Sequence, residues 1–348
     1  MTSFALPENA DSSTATYGLV SFLHPGYDDS FNKLCVLPAA DLGGVHFGTA
    51  LTVCGIIANN AFDGWFAKEK NAPREEGEWD SVLRGRHFYF FTSDNRNDKY
   101  PVVISFEQWR YPDTLPPKWE SLEIPRGIEQ RQCCLSAYAY SLESAHLVPH
   151  YESSWYTANI FDYTDAGNDE PHNKIYLRGD LHTAFNNRHW CMVVKDGRLV
   201  CQTFRPFNRS LLNSFVEEYH NKTLLPLHNK SKECLFARLA WTVLPLVGYF
   251  VINRELPTTV IIKNGEATEV SGQELRMSFK TSKASKRGST DVNTTSASRS
   301  NALSKRKRTR DDEKISISIS DWLNQVPSPQ NQHPGGYPPV TIGDYLHD

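Results

Sequence analysis

Within the 348-residue chain, the side chains best suited to chemistry lie in residues 143–186, ESAHLVPHYESSWYTANIFDYTDAGNDEPHNKIYLRGDLHTAFN. His146 follows a strand-like stretch, Asn173 follows a long acidic loop, and Asp180 and His182 stand at a helix start. His182 and Asn186 are four residues apart, so they share one helical face. Two histidines and an asparagine near a helix, with acidic residues at hand, fit a site that binds one divalent cation and activates a water. That chemistry requires one imidazole free as a base and the other holding the metal. Lys174 and Arg178 sit beside the segment and offer contacts to phosphate, or else an ordinary solvated face. His150, His172 and His189 are read as surface or core histidines.

A strand, a loop and a helix must bring these residues to one point, and the chain supplies them. Residues 174–187 read as a short strand turning into a helix, and RQCCLSAYAY (131–140) reads as a strand ahead of His146. HWCMVVKDGRLVCQTF is a hairpin candidate around Lys195–Asp196–Gly197, with Asp-Gly as the turn signal. SLLNSFVEEYHNK and KECLFARLAWTVLP carry helical apolar spacing. Upstream, YGLVSFLHP, KLCVLP, HFYFFTS and YPVVISFEQWRYP read as strands, and FGTALTVCGIIANNAF reads as a helix that breaks near Asn59–Asn60. The expected organisation is a loose end at 1–16, an N-terminal α+β unit at 17–110, a four-proline linker at 111–130, a second unit at 131–262 and a disordered tail at 263–348.

The motif resembles that of the HNH endonucleases, in the form met in fungal proteins. The residues that carry the likeness are Cys133, Ala145-His146-Leu147-Val148-Pro149, Asn173, and Leu177-Arg178-Gly179-Asp180-Leu181-His182 leading to Phe185. It continues weakly through HWCMVV and LFARLAWTVLP and into LPAADLGGVHFGTAL and GIIANNAFDGW. The resemblance implies an α+β fold with a ββα-metal core: a hairpin, a loop and a helix around one divalent cation, Mg, Mn, Zn or Ni. It implies His146 as general base, Asn173 as the residue that tethers the loop and orients that base, and His182 as metal ligand. Two positions depart from the pattern. Ala145 stands where many HNH enzymes carry an acid or a histidine, and Asn186 stands where relatives carry an aspartate. A neutral amide is a poorer ligand for a hard cation than a carboxylate. The metal shell is therefore expected to lean on Asp180 or Glu143 beside Asn186, or to be incomplete. Asp180 also fits a first-turn helix acid, and Glu143 also fits a surface residue.

Composition sets the outer bounds. Aromatic residues make up 12% of the chain, which excludes a wholly disordered protein. The formal net charge of -3 conceals an asymmetry, because residues 276–310 carry 11 Lys or Arg and one acid, hence +10, against -13 for the remainder. The compact run Lys305-Arg306-Lys307-Arg308-Thr309-Arg310 resembles a nuclear localisation signal and also suits a nucleic-acid backbone. Seven scattered cysteines without a CxxC pair, and no visible secretory signal, favour free thiols in a nuclear or cytoplasmic setting. The apolar stretch 235–252 is interrupted by Arg238 and Pro245 and reads as a buried helix, so no membrane partner is expected. Three functions compete: a metal-dependent endonuclease acting on DNA, an HNH scaffold kept as a nucleic-acid or protein binding module, and an RNase using the same site. The sequence leaves the oligomeric state open.

Overall fold

The structure is a computed structural model that describes residues 18–29, 31–160, 167–204, 209–252 and 258–274. β1 (Leu19–Leu23) turns Val20 and Phe22 inward, as the two-residue period of a strand dictates, and pairs antiparallel with β2 (Lys33–Pro38). β3 (Val45–His46) runs straight into α1 (Phe47–Ile57), which is apolar nearly all round and serves as a core helix. His46 caps it, Nδ1 accepting the Thr49 N–H at 3.0 Å. The expected break falls at Asn59 and Asn60, whose φ values of 57° and 67° are left-handed positions that asparagine tolerates. β4 (Trp65–Ala67) and β6 (His87–Phe91) complete a four-stranded sheet of order β2-β1-β6-β4, while β5 (Val82–Leu83) pairs with β3.

Three expectations change here. Residues 100–112 form no regular strand: they hold a bridge from Val102 to Ile261 and a 3-10 turn at Phe106–Gln108. Val102, Val103, Phe106 and Trp109 are all buried although only a single 3-10 turn forms here, so side-chain packing decides the path. The expected linker 111–130 is packed rather than open. Around α2 (Pro117–Glu120) it buries Leu115, Trp119 and Leu122, and the Trp119 ring meets Phe236 edge-on at 5.1 Å. Its prolines shape the backbone without keeping its side chains out of the core. Residues 131–140 form no strand: the Ala137 N–H donates to the Cys133 carbonyl in a turn, and Ala137 itself has φ 63°.

β7 (Leu142–His146) and β8 (Lys174–Arg178) pair antiparallel, with Ala145 opposite Ile175 and His146 opposite Lys174. The connection between them holds α3 (Ser153–Asn159). α4 (Gly179–Asn186) follows β8 directly and buries Leu181, Ala184 and Phe185. β9 (Trp190–Lys195) and β10 (Arg198–Thr203) form the expected hairpin, with both turn residues left-handed, Asp196 at φ 47° and Gly197 at φ 69°. α5 (Arg209–Tyr219) and α6 (Lys232–Val243) follow, and the Ser231 side chain caps α6 by accepting the Cys234 N–H at 3.0 Å. Pro245 then shifts the chain into a 3-10 turn before α7 (Gly248–Ile252). Among the described residues no helix is long and apolar enough to cross a membrane. β11 (Thr258–Lys263) and β12 (Glu266–Ser271) form a last hairpin, so regular structure extends past residue 263, where the tail was expected to begin. The basic run Lys305–Arg310 lies outside the described residues, as does 1–16.

One hydrophobic cluster takes in Val20, Trp109, Trp119, Phe185, Phe236 and Val270 alike, so the boundaries expected at 110 and 131 do not divide the core. A buried polar knot also spans them. Asp41 accepts from Lys195 Nζ at 2.6 Å, from His220 Nε2 at 3.0 Å and from Asn221 Nδ2 at 3.0 Å. Burial opposes the Asp41 charge, but these donors together hold its carboxyl well below the usual range. All seven cysteines are buried free thiols.

Candidate active site

β7, β8 and α4 form a ββα unit, and every site residue expected between 146 and 186 stands on it or on the connection that precedes β8. His146 closes β7. Its Nε2 meets Asp169 Oδ1 at 3.0 Å, and the same oxygen accepts from Lys174 Nζ at 2.6 Å. Asp169 is held in its charged form by Lys174 and His146, below the ordinary carboxyl range. An ionised acceptor places the His146 proton on Nε2 and leaves Nδ1 as the basic nitrogen. Burial lowers the His146 pKa beneath its ordinary 6.5, opposed by the hydrogen bond to Asp169 and assisted by the charge of Lys174. The His150 ring lies 6.0 Å away.

Asn173 is fully buried and saturated. Its Oδ1 accepts the Val148 N–H at 2.8 Å, and its Nδ2 donates to the carbonyls of Val148 at 3.0 Å and Asn168 at 2.6 Å. Its backbone carbonyl also accepts the Leu147 N–H at 2.8 Å. The two residues after His146 are thus fixed to the residue immediately before the return strand. The asparagine amide offers a donor pair and an acceptor at one short tip for this purpose.

His182 sits one turn into α4. Nδ1 donates to Glu143 Oε2 at 2.6 Å, and Nε2 faces Asn186 Nδ2 at 3.0 Å. Glu143 lies two residues before Ala145 and therefore on the same face of β7. A carboxylate behind an imidazole is the usual way to fix a ligand histidine's tautomer, presenting the other nitrogen outward. Asn186 stands beside that nitrogen, as the four-residue spacing implied.

Asp180 goes elsewhere. Arg178 grips its carboxylate in two parallel bonds, Nε to Oδ1 at 2.6 Å and Nη2 to Oδ2 at 2.7 Å, and also donates to the Tyr219 hydroxyl at 3.1 Å. Each partner holds the other charged: the Asp180 pKa falls and that of Arg178 rises. Asp180 thus serves as a first-turn acid on α4, and Arg178 and Lys174 both spend their charge on a neighbouring carboxylate.

Two residues here carry no clear signal in the sequence. Asp169 lies inside an acidic loop with nothing to single it out. Arg238 on α6 stands out in the sequence only as an interruption of an apolar run, yet it is fully buried against this unit. Its Nη1 lies 3.3 Å from the carbonyls of both His146 and Leu147, and its Nη2 donates to the Phe185 carbonyl at 2.6 Å. The Phe185 ring lies 3.5 Å and the Trp241 ring 4.4 Å from the guanidinium carbon.

Tested against a divalent cation, the donor set is small. Among the described residues no three His, Cys, Asp or Glu side chains converge as for a metal ion. His182 Nε2, backed by Glu143, accepts from Asn186 Nδ2, and a cation would take that nitrogen together with the Asn186 oxygen once the amide turns. That fits a cation that keeps several waters or takes oxygens from its substrate, and it does not fit a closed structural site.

Comparison with known proteins agrees with this geometry in one respect. The family model for HNH endonuclease matches residues 128–193, which contain β7, β8 and α4 complete. Residues 128–193 are therefore similar to an HNH endonuclease domain, set within an α+β fold. No curated protein and no solved structure matches the chain.

Proposed function

We propose that the protein is a metal-dependent endonuclease that hydrolyses phosphodiester bonds of DNA. The observation that carries this reading is that the HNH match falls on the ββα unit bearing His146, Asn173 and His182. His146 Nδ1 takes a proton from the attacking water, a task that contributes roughly 10²–10⁴-fold to such reactions. Asp169 holds the proton on the far nitrogen and stabilises the imidazolium that forms, and Lys174 keeps Asp169 ionised. Asn173 holds the backbone after His146 still, so that the base does not swing. His182 and Asn186 would hold the cation, with Glu143 behind His182. When bound, a divalent cation supplies positive charge to the phosphorane-like transition state and to the 3′ leaving oxygen. The basic run Lys305–Arg310 belongs to the same proposal, as a nuclear address and a non-specific grip on nucleic acid.

The test is incubation of the purified protein with supercoiled plasmid in Mg, Mn, Zn and Ni. Nicking should occur with at least one ion and should fall by about 100-fold or more in His146→Ala. No nicking with any ion, or equal nicking by the variant, refutes the reading. RNA offered in competition distinguishes a DNase from an RNase.

A second reading rests on the small donor set: the HNH scaffold serves as a binding module without hydrolysis. Calorimetry separates the two, because tight single-site metal binding abolished in His182→Ala counts against the module.

A further inference from the structure

The guanidinium of Arg238 is a fully buried cation that meets no carboxylate among its described partners. Those partners are three backbone carbonyls and two aromatic faces. Burial lowers its pKa to about 9, so it stays charged at neutral pH. Leaving a charge in such a place is expensive, and an apolar residue of similar volume is often neutral or stabilising there. α6 buries ten of its residues, so a leucine or methionine would continue its apolar surface. What the arginine adds is reach in two directions. One edge of the fork touches the carbonyls of His146 and Leu147, where β7 ends. The other touches the carbonyl of Phe185, in the turn of α4 that carries His182 and Asn186.

We propose that Arg238 is a positioning residue that clamps the end of β7 to the last turn of α4 and so fixes where His146 stands relative to the helix that carries His182 and Asn186. Asn173 fixes Leu147 and Val148, next to His146, at the start of the return path, and Arg238 ties His146 and Leu147 to the helix. The proposal rests on the nuclease reading for its consequence, but the clamp itself is a property of the fold. The planar fork is needed because its donors diverge at fixed angles. A lysine ammonium at the same site keeps the charge and cannot span both groups.

Arg238→Met and Arg238→Lys test it. Methionine removes the buried charge and keeps most of the volume, so this variant should still fold, with a lowered thermal midpoint because the carbonyls of His146 and Leu147 lose the fork. Its turnover on plasmid should fall by about 100-fold, as expected for a base moved by an ångström or so, while KM stays within about twofold. A readout free of catalysis is the NMR titration of the His146 ring. Asp169, Lys174 and His150 face that ring and are unchanged in both variants. A shift of its midpoint upward, toward 6.5, therefore reports movement of His146 out of its half-buried position.

If wild type cleaves nothing, the nuclease reading fails and the ring titration still decides the clamp. A folded Met variant with wild-type turnover and wild-type titration overturns the proposal. So does failure of both variants to fold, which would make Arg238 a staple of the core. If only the Lys variant fails to fold, the Met variant decides.

Discussion

At the scale of single residues, the site divides its carboxylates by partner. Asp169 faces His146 and Lys174, Glu143 faces His182, and Asp180 faces Arg178. The His146 pKa is lowered chiefly by burial, so the imidazole is neutral and basic at pH 7. The pH–rate profile should therefore lose activity on an acid limb centred below 6.5. Asp169→Asn removes the group that favours the imidazolium and leaves Lys174 opposing it. The limb should move further toward acid while the plateau rate falls about 10- to 100-fold, since a weaker, less well oriented base transfers the proton more slowly. A limb that moves toward alkali would contradict the assigned tautomer. Asn173→Ala leaves the Val148 N–H and the carbonyls of Val148 and Asn168 without their partner in a dry interior. Urea unfolding should show a loss of about 2–4 kcal/mol, given roughly 1–3 kcal/mol for each buried group left unsatisfied and partial relaxation. Asn186→Asp adds a carboxylate beside His182 Nε2. Calorimetric affinity for Mg or Mn should rise about tenfold or more, because hard cations prefer charged oxygen.

At the scale of elements, what the sequence made legible is what local chemistry controls. The β9–β10 hairpin was readable from Asp196–Gly197, because a two-residue turn of that hand needs two left-handed positions and these residues accept them. Gly197→Val should lower stability by about 1–2 kcal/mol, read as a drop in thermal midpoint, since φ 69° crowds a β-branched side chain. α1 and its stop at Asn59–Asn60, and the strand-to-helix passage of β8 into α4, were readable for similar local reasons. The failures have a common physical cause. Residues 111–130 and 131–140 were misjudged because their structure comes from partners far along the chain: Trp119 is placed by Phe236, and Cys134 by the Tyr176 carbonyl. The candidate site shows the same division. His182 and Asn186 could be paired from helical spacing, whereas the Glu143–His182, Asp169–His146 and Arg238–His146 pairs span 39, 23 and 92 residues. Period two along β7 was the one available signal for Glu143, since it places that residue on the face of Ala145.

At the scale of the whole molecule, acid should act on the core as well as on the site. His24 is fully buried, its Nε2 donating to the Tyr100 carbonyl at 3.0 Å and its Nδ1 accepting the Gly26 N–H at 3.1 Å. Burial drives its pKa from 6.5 to about 3. Between those values the unfolded chain binds a proton that the native state refuses, so stability falls as pH drops, with a limiting slope of about 1.4 kcal/mol per pH unit from this group. His24→Gln keeps a donor and an acceptor but does not titrate, and its unfolding midpoint should depend less steeply on pH between 7 and 5. An unchanged slope would assign the acid sensitivity to other groups, such as His46 and His220, whose pKa values burial also lowers. Charge raises a second question at this scale. On the proposed nuclease function, a remainder of -13 must approach a polyanion, and Lys174 and Arg178, the cations of the ββα unit, are already paired with acids. Long-range attraction then has to come from residues 276–310 with their +10. Deleting 276–310 should weaken binding to duplex DNA at low salt and flatten its dependence on salt by several units of log–log slope, at about 0.9 for each phosphate no longer neutralised. The single-turnover rate at saturating DNA should stay unchanged, because the groups that move the proton and hold the phosphate remain. A deletion that abolishes the saturated rate would instead place part of the chemistry in the tail, whereas one that leaves the salt slope intact would put the attraction on the ββα face itself.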